Sequence, residues 1–268
     1  MKKILYFAFV LLPIVTVAQN FQGKVIYEWK ASSEEYSKMI IQPDMDPVMK
    51  KFLEGKLKLM FHKTYILDFD KSASLYKEDR ILDLHGDGFV PNNSDDGNEI
   101  AYFKDLKAKK MIIQKEFYSK DFTIKEPLEI FKWKLESETK MIGDYLCYKA
   151  TAVVPIRGTL YGHKIKEEEH ATNFFKEKEK LTEKTVTAWY APEIPVSQGP
   201  ENYWGLPGLI LEINDGNAVT LCTKIVMNPK EKSQIKPLIK GKIVSQKEYD
   251  TIVFKKNDEL QETETTPN

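Results

Sequence analysis

Apolar and charged residues alternate along much of the chain. The pattern is clear at Val25, Tyr27 and Trp29, and a period of two is typical of a strand with one buried face. It recurs at Tyr65, Leu67 and Phe69, and again at Phe131, Trp133 and Leu135. Further strands are predicted over residues 100–103, 110–116, 145–154, 185–190, 209–214 and 219–226. Many strands joined by short turns predict a mainly β protein built on an antiparallel meander sheet.

Two short helices are predicted to pack on this sheet. The first begins at the cap pair Asp46 and Pro47, and Gly55 is expected to end it. The second begins at Ser245, where Glu248 three residues later completes a capping box. The apolar stripes are Val48, Met49, Phe52 and Leu53 in the first helix and Tyr249, Ile252 and Val253 in the second.

The first eighteen residues have the composition of a secretory signal peptide. Lys2 and Lys3 precede a run without charges, which ends at the small residue Ala18. This run is shorter than the ~20 residues that a bilayer span needs and contains Pro13, so an anchor helix is the weaker interpretation. We therefore expect residues 1–18 to be removed and the mature protein to be periplasmic or secreted, without a transmembrane anchor.

The mature chain is expected to form one antiparallel β domain over residues 19–256. Residues 85–98, rich in Gly, Asn and Asp, and the highly charged residues 157–184 are predicted to be insertions between strands. Residues 257–268 are predicted to be a disordered polar tail. Removal of Lys2 and Lys3 leaves 38 basic against 40 acidic residues, and this near-neutral balance argues against nucleic-acid binding.

The two cysteines, Cys147 and Cys222, fall in predicted strands. An oxidising compartment would permit a disulfide between them. In a simple meander, however, two intervening strand spacings of ~4.8 Å each hold the Cα atoms beyond bonding distance. We therefore favour two unpaired cysteines.

No recognised catalytic motif is present. The chain has four histidines, no Gly-x-Ser-x-Gly elbow, no His-Glu-x-x-His sequence and no Gly-rich phosphate loop. Residues 167–170 with His163 include metal-ligating residue types, but such a charged run is typical of a solvated insertion. We predict no catalytic residue, no metal site and no cofactor.

A turn followed directly by a strand is predicted at residues 205–210. This segment is Gly205, Leu206, Pro207, Gly208, Leu209 and Ile210. Proline second and glycine third in a four-residue turn are typical of a type II turn, where the glycine has positive φ. In the following strand Leu209, Leu211 and Ile213 are expected on one face. We favour a purely structural role for this motif, in which it fixes the register of the strand, over a role in binding.

The preceding loop, residues 191–204, is rich in proline and also carries large apolar side chains. A rigid loop of this kind suits a binding surface, and the predicted ligand-binding or partner-binding residues are Trp189, Tyr190, Ile194, Pro195, Tyr203, Trp204 and Leu206. The alternative is a loop that folds back over the sheet and fills its own core. The residues alone leave both open.

The hexapeptide from Gly205 to Ile210 resembles the signature of the GLPGLI family. Residues 133–150 are similar to a second block of that family, with Asp144 where a second glycine is usual. The resemblance implies an exported protein of Gram-negative bacteria without an assigned biochemical role. The predicted strand order also resembles the half-barrel of periplasmic lipoprotein carriers, a likeness of fold alone.

Three functions are compatible with these patterns. The first is a non-enzymatic carrier that binds a lipid or another apolar or amphipathic ligand in the concavity of the sheet. The alternative is a protein-interaction module that presents residues 191–204 to an envelope protein partner in an outer-membrane or secretion assembly. An enzyme using carboxylates such as Glu193 and Glu212 ranks third, because 40 acidic residues supply such pairs by chance.

Overall fold

A single twelve-stranded sheet dominates the computed structural model, in which residues 21–79, 100–155 and 183–264 are described. The strands are β1 (Gln22–Ala31), β2 (His62–Asp70), β3 (Ala73–Glu78), β4 (Ile100–Asp105), β5 (Lys110–Phe117), β6 (Lys120–Pro127), β7 (Lys134–Ile142), β8 (Tyr145–Pro155), β9 (Glu183–Ala191), β10 (Leu209–Asn214), β11 (Ala218–Met227) and β12 (Lys242–Val244). The helices are α1 (Glu34–Ile40), α2 (Pro47–Phe61) and α3 (Gln246–Glu264).

The sheet consists of two antiparallel meanders joined edge to edge. Its order is β12-β6-β5-β4-β3-β2-β1-β11-β10-β9-β8-β7, so β1 to β6 form one meander and β7 to β11 the other. The β1–β11 pair joins them, and only β12 is parallel to its neighbour, β6, among the described strands. The sheet is open, with β12 and β7 at its edges. The predicted mainly β, antiparallel fold is confirmed.

Strong curvature brings the two meanders together. The backbone N–H of Ile210 in β10 donates to the carbonyl of Gln198, and the Ser74 hydroxyl in β3 donates to the side chain of Gln198 at 2.8 Å. In a flat sheet β3 and β10, four strand spacings apart, would be separated by ~19 Å. One glutamine spans the gap because the sheet curls around residues 192–208, hereafter the 192–208 loop.

One strand prediction is wrong in position. Phe131 and Trp133 lie in the connection before β7, which begins at Lys134, and Leu135 is exposed. Phe131 and Trp133 instead pack against Tyr203 of the 192–208 loop. Strands β3, β6 and β12 were not predicted, because buried runs such as 122–124 in β6 do not alternate.

The predicted helix starts are confirmed, and the predicted end of the first helix is wrong. The Asp46 side chain accepts hydrogen bonds from the N–H groups of Val48 and Met49, and Ser245 and Glu248 form the predicted capping box. Helix α2 continues past Gly55 to Phe61, since a helix interior tolerates one glycine. Helix α3 extends to Glu264, through most of the segment predicted to be a disordered tail. Helix α1 was not predicted.

The two cysteine thiols are buried and unpaired, as predicted. Cys147 lies in β8 and Cys222 in β11, with β9 and β10 between them. The proposed signal peptide (1–18) and the first insertion (85–98) lie outside the described residues. So does the second insertion (157–184), except for its last two residues, which belong to β9.

Candidate functional site

The 192–208 loop forms part of the protein core. Ile194 and Val196 pack with the central cluster of β1 to β3 and β8 to β11, and Leu206 packs with a second cluster on β8 to β10. Among the predicted binding residues, Tyr190, Ile194, Tyr203 and Leu206 are buried, Trp189 and Trp204 are half-buried and Pro195 is exposed. This placement corresponds to the alternative in which the loop fills its own core. The binding role of these residues stays a prediction.

Two indoles hold the end of the loop in place. The Trp133 Nε1–H donates to the Trp204 carbonyl at 2.8 Å, and the Trp204 Nε1–H donates to the carbonyl of Glu129. The Tyr203 ring lies 5.3 Å from the ring of Phe131. Because protein groups satisfy both indole N–H groups, these side chains serve the loop's own structure in this conformation.

The glycines of the hexapeptide have roles different from those expected. Gly205, not Gly208, has positive φ, at 96°, so the predicted type II turn at residues 206–209 is wrong. A Cβ atom at Gly208 would lie 2.4 Å from the backbone oxygen of Ala191. Gly208 is therefore needed for close backbone approach between the loop and the end of β9.

A β-bulge also changes the faces of β10. The register against β9 shifts between Ile210 and Glu212, so Leu211 has no partner of its own in β9. Leu209 and Leu211 belong to the central cluster, whereas Ile213 joins Ile210 in the second cluster. The prediction that Ile213 shares a face with Leu209 is wrong, because the extra residue reverses the alternation.

A buried lysine anchors the loop to β4. The Lys104 ammonium donates to the carbonyls of Gly199, Glu201 and Tyr203, at 2.6, 2.7 and 2.9 Å. Only the ammonium form has three N–H donors for these three acceptors. Burial nevertheless lowers the pKa of Lys104 to about 7, with Glu201 acting in the opposite direction. Burial also raises the pKa of Glu201 to about 7.

Polar atoms lie buried beneath the same loop. The Tyr76 hydroxyl and the Gln198 side-chain nitrogen have no hydrogen-bond partner among the described residues. Tyr76 stacks on Tyr65, with ring centroids 4.8 Å apart, and meets Tyr27 edge to face. Each such atom costs stability unless water or another group satisfies it.

An open groove lies away from this loop, where α1 and α2 meet the end of β1. Its volume is about 320 Å³, and it is lined by Lys30, Ala31, Ser33, Ser37, Glu54, Leu57, Lys58, Phe61 and His62. Leu57 is buried and Phe61 is half-buried, so they form an apolar floor. The Lys30 and Lys58 side chains lie at the exposed rim. The arrangement suits a small amphipathic ligand.

Charges at the β1 side of the groove form a small network. The Glu28 carboxylate contacts the Lys30 ammonium at 2.7 Å and the His62 Nε2 at 3.4 Å. The hydrogen bond from Lys30 lowers the pKa of Glu28. At this rim Lys30 is thus partly neutralised, whereas the structure gives Lys58 no carboxylate partner among the described residues.

Sequence reasoning missed both the groove and Lys104. The only signal for the groove was the apolar stripe of the first helix, which did not say what the helix faces. Lys104 had no signal, because a lysine among the apolar residues of a strand reads as the solvent-facing position of an alternating pattern. Glu212, considered as a catalytic carboxylate, forms an ion pair with Lys140 at 2.7 Å.

The described residues were also compared with the requirements of a metal site and of a membrane-spanning helix. Over the described ranges, no cluster of three or more His, Cys, Asp or Glu side chains is arranged to hold a metal ion. Within the same ranges, none of the helices combines the length and apolar character needed to span a bilayer.

Comparison with known proteins matches part of the chain to a family of unknown function. Residues 133–212, less than half of the chain, match the model of a family described as "Protein of unknown function (Porph_ging)". No curated protein matches the chain. Two structures of PNGF-II, in space groups P21 and C2, are each 14% identical to it, with TM-scores of 0.49 and 0.48. The matches cover 87% and 88% of this chain but only 33% of those chains, and they carry no argument about function.

Proposed function

We propose that this protein is a non-enzymatic binder of a small amphipathic ligand, held in the groove between α1, α2 and the end of β1. The observation that carries the proposal is the groove itself, with an apolar floor and a lysine-bearing rim. Its volume of about 320 Å³ lies at the lower end of the range of small-molecule sites. A ligand with an apolar chain and an anionic head group matches both parts.

Each part of the lining has a distinct role in this proposal. Leu57 and Phe61 contact the apolar chain of the ligand, and Ala31 leaves room for it because its side chain is small. Lys58, on the exposed rim, attracts the anionic head group. Glu54 lowers the net positive charge of the lining, which favours a singly charged head group over a multiply charged one.

The proposed setting is the bacterial envelope. The pattern of residues 1–18 supports export with cleavage after Ala18, and the hexapeptide 205–210 supports membership of the GLPGLI family. A periplasmic or secreted protein would encounter lipids and acyl chains as ligands. Intact-mass measurement on the protein recovered from its own host tests the export step. A chain beginning at Gln19 is expected, and a mass that includes residues 1–18 would contradict it.

A fluorescence titration with cis-parinaric acid tests the binding function. Saturable binding is expected for the unchanged protein. Ala31→Trp fills the groove and should weaken binding at least tenfold, and Lys58→Glu should weaken it roughly fivefold by reversing a rim charge. Lys255→Glu, an exposed lysine on α3, is the matched charge control and should leave binding unchanged.

Two results would reject this function. One is the lack of saturable binding by the unchanged protein. The other is full binding by Ala31→Trp in a protein whose circular dichroism and thermal unfolding match those of the unchanged chain. Native mass spectrometry with lipid extraction, on protein purified gently from its host, then identifies any natural ligand.

The second candidate remains a protein-interaction module in an outer-membrane or secretion assembly. It was expected to present residues 191–204, with Tyr203 or Trp204 as anchor. Tyr203 is buried and Trp204 is half-buried with its indole N–H bonded inside the protein, so the loop would have to open first. The groove therefore supports the ligand-binding proposal more directly.

A further inference from the structure

We propose that the outer face of α2 binds the surface of an anionic lipid bilayer. Helical residues advance about 100° each, so Val48, Met49, Phe52 and Met60 fall within an arc of about 120°. All four are exposed, Val48 at 78%. Leu57, which is buried, lies outside this arc. Helix α2 thus has two apolar faces, one against the sheet and one in solvent.

The charges of α2 complement an anionic surface. The helix carries Lys50, Lys51, Lys56 and Lys58 against the single acid Glu54. Lys56 lies within the exposed arc, and its Nζ is 4.9 Å from the centre of the Phe52 ring. By the same helical geometry Lys51 lies about 60° beyond the edge of the arc, and Glu54 lies on the opposite side. Lysines beside exposed apolar side chains are typical of helices that lie in the interface of anionic membranes.

The shape of this face favours a bilayer over a folded partner. The arc is convex, and two of its four apolar side chains are methionines, which adapt to an irregular or fluid environment. The Lys56 stem lies along the apolar face while its ammonium can extend to the head groups. A rigid protein partner would instead need a preformed acidic groove of matching shape.

This inference is independent of the ligand-binding function. The groove uses Leu57, Lys58 and Phe61, which lie on the other side of α2 from the exposed arc. Variants of the arc should therefore change vesicle binding without changing the affinity for cis-parinaric acid. Failure of one proposal is distinguishable from failure of the other.

Vesicle co-sedimentation tests the proposal, with phosphatidylcholine vesicles compared with mixed phosphatidylglycerol and phosphatidylcholine vesicles. The unchanged protein should sediment with the anionic vesicles and not with the zwitterionic ones. Val48→Ser with Phe52→Ser should abolish sedimentation. Lys51→Gln with Lys56→Gln should weaken it roughly fivefold for each lysine removed. Ile130→Ser is the control, since Ile130 is 82% exposed elsewhere on the molecule.

Three outcomes would overturn the proposal. The first is equal or absent sedimentation with the two kinds of vesicle. The second is loss of sedimentation in Ile130→Ser, which would indicate nonspecific adsorption through any exposed apolar side chain. The third is a dimer in solution, measured by light scattering, that Val48→Ser with Phe52→Ser converts to a monomer. In that case the arc is an interface between two copies of the chain.

Discussion

Replacing Lys104 by methionine tests whether burial or hydrogen bonding controls the protonation of the buried lysine beneath the 192–208 loop. Three carbonyl acceptors favour the ammonium, whereas burial favours the neutral amine and lowers the pKa to about 7. We expect burial to dominate. The comparison is made between two proteins that both carry Glu201→Gln, with and without Lys104→Met, because the pKa of Glu201 is also about 7.

The sign and size of the effect follow from proton linkage. The folded-state pKa of Lys104, about 7, lies below the unfolded value of about 10.4. Between these two values the unfolded chain binds more protons, so the contribution of Lys104 to the free energy of unfolding rises with pH. From about pH 7.5 to about pH 9.5 the gain is about 2.5 kcal/mol. Glu201→Gln removes a charge that raises this pKa, so it does not reduce the gain. The Lys104→Met protein lacks this pH-dependent contribution to the free energy of unfolding.

Urea unfolding, followed by tryptophan fluorescence across that pH range, provides the measurement. The difference in unfolding free energy between the two proteins should grow by about 2.5 kcal/mol towards high pH. At the high-pH end Lys104→Met should cost roughly 2 to 4 kcal/mol, since the carbonyls it leaves are unsatisfied. A difference that stays constant within about 0.5 kcal/mol would refute the reasoning. It would mean that the three carbonyls keep Lys104 protonated in the folded protein.

Two further predictions concern the core. Burial raises the pKa of Cys147 to about 11 and that of Cys222 to about 12. At about pH 8 neither thiol should therefore react with Ellman's reagent until urea unfolds the chain. Rapid reaction of the native protein would contradict this. Gly208→Ala should lower the free energy of unfolding by roughly 2 to 4 kcal/mol, because its Cβ meets the Ala191 oxygen. Gly55→Ala in α2 has open space and should raise it by about 0.5 to 1 kcal/mol; equal effects of the two substitutions would argue against the packing explanation.

Local signals in the sequence predicted most of the secondary structure. The predicted strands include β1, β2, β4, β5 and β8 to β11. At β1 and β2 the signal was alternation, because a strand with one buried face must alternate. The side chains of Asp46 and Ser245 marked helix starts, since a cap satisfies backbone donors within its own turn. Both kinds of signal depend only on residues a few positions apart.

The site depended on contacts between residues distant in sequence. The 192–208 loop belongs to the core because the curved sheet encloses it, with hydrogen bonds to Gln198 from both β3 and β10. No short sequence pattern encodes contacts between strands so far apart in the sheet. The bulge at Leu211 reversed the face of Ile213, which a single inserted residue can do without a sequence signal.

The sequence by itself therefore determined the class of fold and the helix starts. The tertiary structure alone decided that Lys104 is buried, that the 192–208 loop fills the concave face and that α2 exposes one apolar arc beside a groove. The physical reason is that burial is a property of what surrounds a side chain. Elements remote along the chain supply those surroundings, so a local pattern cannot specify them.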